Sequence, residues 1–169
     1  MIRTVSVFGS SAVKAGSPAY QEAYALGQAL GRAHLTVATG GYGGTMDAVS
    51  RGVQEEGGKT IGVTCRQFQA LPNRWLDEEI ATQTFQERLF KLMEIGEAYI
   101  ALPGGAGTLC EISVAWELIR KNLMPVKPLV FCGRFWEAML TSLAEREGGG
   151  EWLHFVKDPK STVEFLLRS

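Results

Sequence analysis

The chemistry legible in this chain rests on two charged residues, Arg88 and Glu111, and on two glycine-rich turns, Gly40-Gly41-Tyr42-Gly43-Gly44-Thr45 and Pro103-Gly104-Gly105-Ala106-Gly107-Thr108. Each turn follows an apolar or β-branched run (Thr36 to Thr39, and Ala98 to Leu102) and leads into a helical stretch. A strand, a glycine turn and a helix start in that order build an anion site: glycines let backbone N–H groups approach closely, and the positive end of the helix dipole faces the ligand. Two such turns point to a phosphorylated ligand. Glu111 stands three positions after Thr108, the T-x-x-E spacing of a capping box. Its carboxylate therefore either satisfies backbone donors at the helix start or stands, held ionised by the dipole, where it can activate water or stabilise a cationic transition state. Arg88 falls inside the apolar stripe formed by Phe85, Leu89, Leu92 and Ile95. A guanidinium facing a core needs an anion, either an internal partner such as Glu111 or a bound phosphate.

The elements that must position these residues alternate between short β-rich runs and helices. Strands are expected at Thr4 to Phe8, Leu35 to Thr39, Lys59 to Val63, Ala98 to Leu102 and Pro128 to Phe131, with a short one at Trp152 to Val156. Helices are expected at Pro18 to Ala33, Thr45 to Glu56, Phe85 to Gly96, Thr108 to Asn122 and Phe135 to Glu147, and a last one capped by Asp158 with Pro159 in its first turn. Residues 65–84 read as a long connection of the kind that serves as a lid. The alternation implies right-handed βαβ units, hence a Rossmann-like α/β fold with a parallel sheet covered on both faces, in one domain over residues 1–169. In such sheets ligands sit beyond the carboxyl ends of the strands, where Gly9-Ser10-Ser11 and both glycine turns converge.

Several function classes are excluded or disfavoured. A net charge of −1 with 21% charged residues leaves no electrostatic footprint for nucleic acid. No apolar run approaches the ~18 residues of a membrane span, and no signal peptide is evident, so a cytoplasmic protein is expected. The three cysteines, Cys65, Cys110 and Cys132, lack CxxC spacing, and the two histidines lack metal spacing, so no metal site is expected. Neither turn is a dinucleotide fingerprint, because Met46 and Cys110 stand where a third glycine belongs, and no GxxxxGK[ST] run exists.

The run Pro103-Gly104-Gly105-Ala106-Gly107-Thr108-Leu109-Cys110-Glu111 resembles the PGGxGTxxE motif of the Lonely Guy (LOG) phosphoribohydrolases, formerly labelled lysine decarboxylases. Val7 to Ser11, Gly40 to Val49 and Gly57 to Val63 are similar to further family segments, and Arg88 lies at the family's catalytic arginine. The chain departs from the family at Leu89, where a lysine is usual, and at Cys110, where an acidic residue is usual; both changes are expected to touch the pocket lining. The resemblance implies hydrolysis of a nucleoside 5′-monophosphate to free base and ribose 5-phosphate by a homodimer, without metal or organic cofactor. It also implies catalytic roles for Arg88 and Glu111. The expected substrate contacts are Gly9, Ser10, Gly41, Gly43, Gly44, Thr45, Met46, Gly104, Gly105, Gly107 and Thr108. A non-catalytic carrier of a nucleotide or of the molybdenum cofactor is the alternative. Pyridoxal phosphate chemistry needs a Schiff-base lysine, and none lies in the three loops.

Overall fold

A computed structural model describes residues 2–169. The chain forms β1 (Thr4–Phe8), α1 (Pro18–Arg32), β2 (Thr36–Thr39), α2 (Thr45–Glu55), β3 (Thr60–Cys65), β4 (Glu78–Thr82) and α3 (Phe85–Ile95). It continues through β5 (Ala98–Ala101), α4 (Ala106–Arg120), β6 (Leu129–Cys132), α5 (Glu137–Glu147), a single 3₁₀ turn, β7 (Leu153–Val156) and α6 (Pro159–Arg168). The strands make one sheet in the order β4-β3-β2-β1-β5-β6-β7, and every pairing is parallel. Helices cover both faces, giving the expected three-layer α/β/α architecture. Strand order reverses between β1 and β5, where Phe8 lies beside Ala101. This is the switch point at which a doubly wound sheet opens a crevice.

The two faces bury separate apolar layers. Val5, Val7, Val37 and Ile100 point toward α1, α2 and α6, whereas Phe8, Ala38, Tyr99 and Phe131 point toward α3, α4 and α5. Helices α1 and α2 touch through Gly27 and Gly52, where any side chain would overlap the backbone of the facing helix. The expected cap of the last helix forms, with the Asp158 carboxylate accepting from Ser161 N at 2.8 Å, and α1 is capped in the same way by Ser17, whose Oγ accepts from the Tyr20 amide at 3.3 Å.

The sheet differs from the sequence reading by one strand. The expected long connection contains a seventh strand, β4, paired with β3 from Glu78 opposite Ile61 to Thr82 opposite Cys65. Its Glu78-Glu79-Ile80-Ala81-Thr82 run lacks apolar alternation because it is an edge strand with charges in solvent. Side chains reinforce the pairing. Thr64 Oγ1 donates to Glu79 Oε1 at 2.6 Å, and Asp77 accepts from the Thr60 amide at 2.7 Å. Among the described residues no helix is long and apolar enough to cross a membrane.

Candidate active site

A cavity of about 570 Å³ opens at the carboxyl ends of β1 and β5. Its wall includes Gly9 and Ser10 after β1, Gly40, Tyr42 and Met46 from the first glycine turn and α2, and Gly105 to Thr108 from the second. Arg88 and Glu111 also face it. The second turn is anchored from behind, where Trp136 Nε1 donates to the Leu102 carbonyl at 2.9 Å.

Helix α4 begins at Ala106, two residues earlier than expected, with extended Gly105 before it and no side-chain cap. Thr108 is therefore its third residue rather than its cap, and the expected capping box with Glu111 does not form. The amides of the first turn have no acceptor within the helix. Gly105, just before the helix, and Ala106 and Gly107, its first two residues, are exposed in the cavity wall. Glu111 projects one turn further along.

Glu111 is 7% exposed and Arg88 6%. The Arg88 Nη1 to Glu111 Oε1 distance is 3.6 Å, an ion pair too long for a hydrogen bond. Arg88 is held from several sides. Its Nε donates to the Val63 carbonyl at 2.8 Å, and its guanidinium carbon lies 5.8 Å from the centre of the Tyr42 ring and 5.5 Å from that of Phe68. Gly40 supplies the remaining space, since a methyl group there would overlap Nη2. Burial pushes the Glu111 carboxyl up to about 7, against the opposing pull of Arg88. Desolvation thus outweighs the dipole that the sequence suggested would keep it fully ionised. A carboxyl poised near neutrality suits a general base.

Of the expected substrate contacts, Gly9, Ser10, Met46, Gly105, Gly107 and Thr108 line the cavity, whereas Gly41, Gly43, Gly44, Thr45 and Gly104 do not. Thr45 is turned inward: its amide and hydroxyl donate to the Ser10 carbonyl at 2.9 and 3.2 Å. Asp47 accepts from the Tyr20 hydroxyl at 2.6 Å. Leu89 and Cys110 do not touch the lining as expected; both pack in the apolar layer behind the site. Sequence reasoning missed the aromatic wall of Tyr42, Phe68 and Phe85. Its one sequence signal is Phe68, an aromatic residue in the segment read as a lid. No lysine lines the cavity, and no cluster of potential metal ligands occurs among the described residues.

Comparison with known proteins places the chain. The SLOG cluster4 family model matches residues 2–160. A cytokinin riboside 5′-monophosphate phosphoribohydrolase of Mycobacterium tuberculosis is 37% identical over 60% of this chain and 58% of its own length. One from Rhodococcoides fascians is 32% identical over 63% of this chain and 56% of its own. The aligned region thus spans little more than half of these curated relatives. The molybdenum cofactor binding protein of Rippkaea orientalis shares the fold, with a TM-score of 0.80, 22% identity and coverage of 99% of this chain and 97% of its own. The resemblance to LOG enzymes read from Pro103 to Glu111 is borne out.

Proposed function

We propose that this chain, which belongs to the SLOG cluster4 family, hydrolyses the N-glycosidic bond of a nucleoside 5′-monophosphate, AMP or an N6-modified AMP, to free base and ribose 5-phosphate. The observation that carries this reading is the buried Arg88–Glu111 pair facing a cavity one helical turn from the uncapped start of α4. The phosphate is received by the Gly105–Thr108 amides, where the helix start offers donors and a favourable dipole. As the bond from C1′ to the base breaks, its electron pair leaves with the base and positive charge develops on the ribose. Ionised Glu111 stabilises that charge and takes a proton from water, whose oxygen bonds to C1′; the proton ends on the departing base. Arg88 orients Glu111 and offsets the phosphate charge. A homodimer in the cytoplasm accompanies this reading; Leu123, 70% exposed beyond the end of α4, is available to a second copy, whereas Trp116 is core.

Incubation with AMP and with an N6-modified AMP, with base release followed by chromatography, tests the proposal. Glu111→Gln preserves shape but cannot act as a base, so release is expected to fall by about 10²–10⁴-fold with the fold intact. Near-wild-type release in the variant removes Glu111 from the mechanism. A carrier of a nucleotide or of the molybdenum cofactor is the second reading, favoured by the fold shared with the Rippkaea protein over nearly the whole chain. Tight nucleotide binding without any base release would select it.

A further inference from the structure

The proposed function accounts for the phosphate and the bond that breaks but leaves the aromatic wall unexplained. From α4 the site runs in order through Glu111, Arg88 and then the rings of Tyr42 and Phe68. Phe68 stands between two other aromatics, 5.9 Å from the Tyr42 centroid and 6.1 Å from that of Phe85. It is nevertheless 38% exposed, and both it and Ala70 line the cavity. Its ring therefore offers apolar surface to whatever enters.

The segment carrying Phe68 is fixed at both ends. On one side Phe68 N donates to the Cys65 carbonyl at 3.0 Å, and Gln67 Oε1 accepts from the Phe85 amide at 2.8 Å. On the other, Asn73 reaches the first glycine turn, its amide donating to Gly41 O at 2.8 Å and its Nδ2 to Tyr42 O at 3.0 Å. The Tyr42 hydroxyl is itself locked, donating to the Cys65 carbonyl at 3.0 Å and accepting from the Cys65 amide at 2.7 Å. The aromatic wall is thus preorganised rather than a loose flap.

We infer that Phe68 is the specificity-determining residue of the site, its exposed ring stacking on a planar aromatic base held beyond the Arg88–Glu111 pair from the phosphate. The inference rests on the proposed function for the placement of the phosphate. Stacking on an aromatic side chain tolerates many bases because each has a π face. The wall therefore selects an aromatic base over a bare sugar phosphate rather than one base over another.

Calorimetric titration separates the two ends of the ligand. AMP and ribose 5-phosphate are titrated into Glu111→Gln protein, in which turnover is expected to be slowed about 10²–10⁴-fold, with and without Phe68→Ala. Phe68→Ala is expected to weaken AMP about 5- to 150-fold, the range known for loss of one stacking side chain. Ribose 5-phosphate affinity should stay within about twofold, and Phe68→Tyr should restore AMP binding. Equal weakening of both ligands, or unchanged AMP affinity, overturns the inference. If AMP binding depends on Phe68 but wild-type protein releases no base, stacking stands and the hydrolase reading falls. If base is released and Phe68→Ala leaves AMP affinity intact, the reverse holds. Failure of Glu111→Gln and wild-type protein to bind either ligand overturns both.

Discussion

The two glycine-rich turns look alike in sequence and are used in opposite ways. In the first, Gly40 to Thr45, backbone groups are consumed internally: Thr45 N bonds Ser10, the carbonyls of Gly41 and Tyr42 accept from Asn73, and Gly41 N donates to Thr39 Oγ1 at 3.1 Å. What this turn gives the cavity is a side chain, Tyr42, and the space at Gly40 that Arg88 fills. In the second, Gly105 to Thr108, the helix start is uncapped and its backbone is what faces the cavity. On the proposed function, one turn clamps the Arg88 side chain and the other receives the phosphate. A glycine-rich turn before a helix becomes a ligand site only where the protein leaves its donors unspent.

The sharpest way to break this contrast is Gly40→Ala. Because the added methyl would collide with a buried guanidinium, the substitution should displace Arg88, lowering base release by at least about 100-fold, and destabilise the fold by about 1–3 kcal/mol. Full activity with unchanged thermal stability would mean that the first turn is not a clamp. Glu111 offers an intermediate test through pH. Its carboxyl is raised from 4.5 in the unfolded chain to about 7 in the folded one. The native state therefore holds the proton more tightly. The associated stability is fully present below pH 4.5, is lost as pH rises to about 7, and is flat above. The size is of order 3 kcal/mol, and denaturant melts of wild type against Glu111→Gln at successive pH values should show the decline only in wild type. Base release should follow the folded-state carboxylate alone, reaching half its plateau near pH 7 and levelling off above it. The gentlest test is Gly107→Ala. Nothing lies within 4 Å of a Cβ there and the residue is helical, so stability should hold or rise by a few tenths of a kcal/mol. Nucleotide affinity should still fall about 10-fold, because a methyl now separates the phosphate from a charge-assisted donor. Equal affinity in Gly107→Ala would erase the receptor half of the comparison.

The sequence made the parallel sheet, the helix order and the Arg88–Glu111 pairing legible because each leaves a periodic or spacing signal. Arg88 could be singled out as a charge inside an apolar stripe, and its burial beside Glu111 follows. Strand β4 was hidden because its register depends on Thr60, Thr64 and distant side chains rather than on its own pattern. The start of α4 was misplaced because T-x-x-E spacing is local, whereas leaving a helix uncapped is a property of the cavity. The aromatic wall draws on Tyr42, Phe68 and Phe85 from three separate segments. No one-dimensional period connects them, so their convergence is visible only in the folded chain.

The reversal of strand order beside β1 also dictates how this protein comes into being. Helix α3 carries Arg88 across from the β4 edge to β5, and only the pairing of β5 with β1, Phe8 beside Ala101, brings α4 and Glu111 opposite it. A growing chain that has completed β1 to β4 owns half a sheet, an unpaired β1 edge and no cavity floor. Closing contacts so distant in sequence is the slow, entropically costly part of acquiring the native topology. The Arg88–Glu111 pair is thus assembled only after α4 has been synthesised and docked, and its neighbouring turn is anchored later still, by Trp136.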